Sequence, residues 1–150
     1  MRNDDDVVHF VVELQPRERH GIRTEGLWGE RVADGRLRLR NTPFLVPDLS
    51  MDDIVFAKKR RGVLTFAGVS LRGGHSTYWI MTAGPDSWKS HWTRLKLLGC
   101  RYESTGLGDG RIVLAMDVPA RTNLEDVLQV LDEGTAAGVW DYEEAHRGHL

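Results

Sequence analysis

The run Arg72-Gly73-Gly74-His75-Ser76-Thr77 sets an imidazole beside two hydroxyls, with Asp52 and Asp53 upstream. Those residue types could activate a serine: His75 as base takes the Ser76 proton, and one aspartate orients the ring. Two features count against it. Consecutive side chains on a strand point to opposite faces, so His75 and Ser76 diverge unless the glycine pair bulges the chain. No Gly-x-Ser-x-Gly elbow is present to expose the hydroxyl. The run is therefore expected to be a turn at a strand end that satisfies its own backbone, with His75 also able to bind and catalysis by His75 and Ser76 a minority reading.

A second group is cationic. Lys58, Lys59, Arg60 and Arg61 fall on an expected hairpin tip near a stripe of Arg36, Arg38 and Arg40. Phosphate backbones reward such patches through counterion release, although hairpin tips are also simply solvated. Stacking aromatics would sharpen the claim, yet RIVLAMDV, where an RNA-recognition fold carries its aromatic motif, has none. Trp140 and Tyr142 share one face of the last expected strand; on a sheet edge they would be exposed anchors for a protein partner.

Metal chemistry is weakly supported. His146 and His149 sit beside Glu143 and Glu144 in the final residues, His9, His20 and His91 are scattered, and no zinc spacing occurs. The single cysteine, Cys100, excludes an intramolecular disulfide and follows a helix terminator, which suits a small buried hydrophobe and a reducing cytoplasm. No nucleotide-binding glycine loop is present, so no cofactor is expected. No run approaches the roughly 20 apolar residues of a membrane span.

The elements that must position these residues divide the chain. At 150 residues and 41% hydrophobic it suits one domain or two subdomains sharing a core. LWGERVADGRLRLR places Asp34-Gly35 between alternating runs, a hairpin signal for a turn with positive φ at both positions. Leu37 and Leu39 should face inward. DIVFAKKRRGVLTFAGVSL is a second hairpin, with Ile54, Phe56, Leu64 and Phe66 as inward positions. With VVHFVVEL these give at least five short strands, which bury their edges by curling into a small barrel. The link NTPFLVPDLSMDD should be an irregular crossover, with Pro43 and Phe44 plugging one barrel end.

After Gly84 helical spacing begins. Trp88, His91, Trp92, Leu95 and Leu98 form one stripe, capped by Asp86 or Ser87 and ended by Gly99. Leu124, Val127, Leu128 and Leu131 form another, with Thr122 and Glu125 as a capping box and Gly134 as its end. Read from STYWIM, the order is strand, helix, strand, strand, helix, strand, a ferredoxin-like βαββαβ layer. The expected fold is α+β: a barrel over residues 7–84 fused to a ferredoxin-like layer over 76–146 that shares the strand near 76–82, with flexible ends at 1–6 and 147–150. Charge follows the division, since residues 1–84 carry 13 cations against 11 acids and residues 85–150 carry 7 against 11.

LWGERVADGRLRLRNTPF, DDIVFA, GGHSTYWI and GVWDYEEAH together resemble a family of short bacterial proteins catalogued only as a domain of unknown function. The resemblance spans roughly residues 7–146. It implies no activity. Met51-Asp52-Asp53-Ile54 departs from the family's Gly-Asp-Val pattern. The residues themselves fit a non-catalytic binding protein acting on a protein partner, in an inhibitor, immunity-type or regulatory role. A nucleic-acid-binding barrel using the basic hairpin and a small hydrolase-like enzyme at the GGHST rim are the alternatives.

Overall fold

In the computed structural model, which describes residues 6–15 and 23–150, period-two alternation turns the first half of the chain into a closed barrel. Its strands are β1 (Val7–Glu13), β2 (Thr24–Ala33), β3 (Arg36–Leu39), β4 (Ile54–Arg60) and β5 (Val63–Leu71). Successive strands pair antiparallel, and a parallel contact of Val11 with Thr65 closes the ring. Phe10, Val12, Leu27, Leu37, Leu39, Val55 and Ala57 fill it. Each large apolar side chain buried there contributes about 1.5–3 kcal/mol. Residues 1–5 and His20 lie outside the described residues.

The inward phase of β4 differs from the sequence expectation. Val55 and Ala57 point in, while Ile54 is only half-buried and Phe56 is 38% exposed. Both phases of this strand are apolar, so periodicity does not choose between them; register shifts around Val55 set the phase. Leu64 and Phe66 do pack against the barrel core.

The link between β3 and β4 faces two ways. The buried carboxylate of Glu25 accepts the backbone N–H groups of Phe44, Leu45 and Val46, holding the link against β2. Val46 and Leu49 then complete the barrel core. Pro43 and Phe44, expected as the plug, turn the other way: Phe44 packs on Trp79, Ala115 and Ala145, and the Pro43 carbonyl accepts from Trp79 Nε1 at 2.8 Å.

The second half is a four-stranded antiparallel sheet with two helices. Its elements are β6 (Ser76–Thr82), α1 (Lys89–Leu97), β7 (Arg101–Gly106), β8 (Ile112–Val118), α2 (Leu124–Ala136) and β9 (Trp140–His146), and the strand order is β7-β8-β6-β9. Tyr78, Ile80, Leu114 and Met116 on one face meet Trp88, Leu95, Val127 and Leu131 from the helical layer. β6, expected to be shared with the barrel, pairs with β8 and β9, because β1 and β5 already close the barrel.

Both helix starts fall later than expected. Neither Asp86 nor Ser87 caps α1; Trp88 holds the cap position without a side-chain hydrogen bond. In α2 the cap is Asn123, which accepts from Asp126 N, while Thr122 donates to the Leu98 carbonyl and ties the two helices. Gly134 does not end α2. It lies inside the helix, where the Trp140 indole occupies the space a Cβ would need, and Gly138, with φ of 72°, follows the helix instead. No described helix is long and apolar enough to cross a membrane.

Candidate functional site

Chemistry-bearing side chains converge where the link, the start of β6, the end of β8 and the chain's last residues meet. His75 Nδ1 donates to Asp117 Oδ1 at 2.8 Å, and Nε2 stands 3.3 Å from Asp52 Oδ2. Carboxylates only accept, so this pair of partners suits the imidazolium. The hydrogen bond His75 donates to Asp117, opposed by burial, holds the His75 pKa above the usual 6.5, with the charges of Asp117, Asp52 and Asp53 adding to it. Asp53 is wholly buried and accepts from Arg72 Nη1, Gly73 N and Ser50 N. It thereby pins the Gly73-Gly74 turn. Asp52 adopts a left-handed φ of 68°, and Gly73 leaves room for the Asp52 backbone.

Ser76 turns away from His75. Its wholly buried hydroxyl lies 2.6 Å from His149 Nδ1 and accepts the backbone N–H groups of Gly148 and His149. The Pro119 carbonyl accepts from His149 Nε2 at 3.0 Å, so in the neutral ring Nδ1 is left to accept from Ser76. This is a serine–histidine pair with its hydroxyl sealed from solvent, used to hold the end of the chain. Residues 147–150, expected as a flexible end, include these anchors; Gly148 fits so closely on the His75 carbonyl that a Cβ there would overlap it.

A third histidine closes the seam. His146 Nδ1 meets Ser50 Oγ at 2.8 Å, Ser50 Oγ meets Thr77 Oγ1 at 2.6 Å, and Thr77 donates to the Leu49 carbonyl. The carbonyl at the end sets the direction, from His146 through Ser50 and Thr77. Burial, followed by the Arg72 charge, depresses the His146 pKa below 6.5. Sequence reasoning missed Asp117, Ser50 and both C-terminal histidines in these roles, because strand register and the link, not local spacing, bring them to His75, Ser76 and Thr77.

The cationic residues lie on the barrel's outer surface. Lys58, Lys59, Arg60 and Arg61 are exposed at the β4–β5 tip, where Arg60 pairs with Glu13 at 2.8 Å. Arg36 stands opposite Phe56 and Arg38 opposite Ile54 across β3 and β4, and Arg38 faces Glu30 on β2. The Arg36 guanidinium lies 5.4 Å from the centre of the Phe56 ring, a cation–π contact. Arg40 extends the stripe, its N–H donating to the Trp28 carbonyl. Trp28, 50% exposed, shares this outer face and meets the His9 ring edge-on at 5.1 Å. Its place was readable from period two, since Leu27 faces inward.

The other flagged residues are structural. Trp140 is 2% exposed, and its Nε1 donates to the Leu131 carbonyl. Tyr142 donates to Asp132 and meets Tyr78 edge-on. β9 is an edge strand, but α2 covers the face bearing both aromatics, so neither is an exposed anchor. Burial pushes the Cys100 thiol up to about 12, which keeps it protonated. Glu144 accepts from Tyr78 and Arg147, and no metal-binding cluster occurs among the described residues.

Residues 25–142 match the family described as Domain of unknown function (DUF4265). The chain is also similar to a protein whose structure is described as a novel crystal structure of a hypothetical protein from Neisseria gonorrhoeae. The two share 20% identity at a TM-score of 0.77, over 95% of this chain and 96% of that one. That likeness shows a shared fold. No functionally curated protein matches the chain.

Proposed function

The chain belongs to the DUF4265 family, a domain of unknown function, and from that premise we propose that it is a binding protein acting on a protein partner, in an inhibitor, immunity-type or regulatory role. One observation carries the reading: the outer face of β2, β3 and β4 combines half-exposed Trp28 with the stacked Arg36–Phe56 pair and Arg38. Trp and Arg dominate interface hot spots, because each covers a large area and adds a directional polar contact. The polar seam favours the same reading, since Ser76 is spent on holding the chain end. The second layer reads as ferredoxin-like, supported by its βαββαβ order and by the neighbour order β7-β8-β6-β9. A single cysteine, which can form no intramolecular disulfide, supports a reducing cytoplasm.

Nucleic acid is the second reading, because Arg36 over Phe56 adjoins the basic β4–β5 tip and resembles a stacking platform. Affinity capture with wild type and with Trp28→Ala/Phe56→Ala, each with and without nuclease, separates the two. A captured protein that survives nuclease and is lost with the double variant supports the protein reading. Nuclease-sensitive capture supports nucleic acid. Capture indifferent to both aromatics moves the site off this face.

A further inference from the structure

The free edge of the second sheet offers a surface of another kind. All six residues of β7 are exposed, and among the described residues no strand pairs with its outer side. Exposed edges are normally guarded by charged side chains, above all lysine, by proline or by a covering segment. β7 carries one residue of each charge, Arg101 and Glu103, and neither lysine nor proline. The opposite edge, β9, is partly covered, since Asp48 N of the link donates to the Ala145 carbonyl.

Beside β7 runs a groove of about 500 Å³ lined by Trp92, Lys96, Gly99, Cys100, Arg101 and Tyr102. Tyr102 meets Trp92 edge-on at 4.5 Å and Trp88 at 5.9 Å, so its aromatic wall is braced by packing. The lining carries two cations and no carboxylate, although residues 85–150 hold 11 acids against 7 cations. Neither Lys96 nor Arg101 makes an ion pair among the described residues. The nearest acid along β7, Glu103, accepts from Thr42 N of the link at 2.6 Å.

We infer that β7 is a strand-addition site for an extended acidic segment of a partner protein. The segment's backbone pairs with the open edge, which supplies affinity without regard to sequence. Alternate side chains enter the groove, where the Trp92–Tyr102 wall takes an apolar residue and Lys96 favours a carboxylate, while Arg101, on the opposite face of β7, favours a carboxylate among the segment's other side chains. This surface is separate from the Trp28 face, so Trp28→Ala/Phe56→Ala leaves it intact.

The test pans a phage-displayed random dodecapeptide library against the purified protein, then measures each enriched peptide by fluorescence polarisation and by amide chemical shifts. Enriched peptides should be acidic and strand-forming, and should perturb the amides of residues 101–106. Lys96→Gln/Arg101→Gln, which removes both charges without setting a carboxylate at the α1 end or opposite Asp117, should weaken them at least threefold with little change in the melting curve. N-methylation of alternate peptide amides, which leaves the protein untouched, should abolish binding. No enrichment, a basic or neutral consensus, or shifts confined to other strands overturns the inference. So does sedimentation as a dimer with protected β7 amides, which would assign the edge to a second copy.

Discussion

Asp117 and Asp52 hold the His75 pKa above the ordinary value, while burial beside Ser50 holds that of His146 below it. The two rings therefore give stability opposite pH slopes. The folded pKa of His75 lies above 6.5, so its contribution is full below that value and is lost as pH rises through the raised one. The folded pKa of His146 lies below 6.5, so on acidification the unfolded chain takes its proton first and stability falls toward the lowered value. Urea midpoints from about pH 5 to about pH 9 should peak near the ordinary histidine pKa. His75→Asn should flatten the alkaline limb and cost about 1 kcal/mol at low pH, because the neutral Asn amide can donate to Asp117 but cannot supply the charge-assisted bond. His146→Gln should flatten the acid limb alone. An alkaline slope unchanged in His75→Asn would remove His75 from this role. His75 and Asp52 were legible from the sequence as a histidine and carboxylate in reach of one turn. Asp117 was not, since only the pairing of Thr77 with Asp117 across β6 and β8 brings it beside His75.

At the scale of elements, existence and order were largely legible while phase and turn chemistry were not. Five barrel strands, two helices and the later hairpin stand near their expected places. The Asp34-Gly35 turn takes positive φ only at Gly35, with a register shift between Arg31 and Ala33. Such a shift lets the hairpin close around a glycine in the left-handed region. The turn with positive φ at both positions is Arg61-Gly62, at 53° and 79°. Arginine has no local preference for that region; strand pairing on both sides forces it there. A non-glycine residue held left-handed costs about 1–2 kcal/mol. Asparagine relieves part of that through its short polar side chain, so Arg61→Asn should stabilise the protein by about 0.5–1 kcal/mol. The check is a thermal melt against Arg60→Asn, which loses the Glu13 pair without relieving backbone strain. Equal midpoints for the two variants would show that charge, not φ, governs the tip.

On the scale of the whole molecule, the link between β3 and β4 makes barrel and sheet one unit. Val46 and Leu49 belong to the barrel core, while Phe44 belongs to the cluster of Trp79, Ala115 and Ala145 on the sheet. Polar ties run alongside: Thr42 N to Glu103, Trp79 Nε1 to the Pro43 carbonyl, Asp48 N to the Ala145 carbonyl, and Ser50 to Thr77. The two prolines of the link identified an irregular crossover from sequence, but not its two-sided burial, because apolar residues without a period do not announce which core they join. The connection predicts shared cooperativity. Phe44→Ala removes a partly buried ring at the junction and should cost about 2 kcal/mol, less than the 3–5 typical of a fully buried phenylalanine. If barrel and sheet unfold together, native-state hydrogen exchange should report that same loss at Val55 in β4 and at Leu114 in β8. A loss confined to Leu114, with Val55 exchange unchanged, would show that the barrel stands alone and that the link only decorates it. The equal loss is expected, because Phe44 is two residues from Val46 and five from Leu49 on one short link, and both belong to the barrel core.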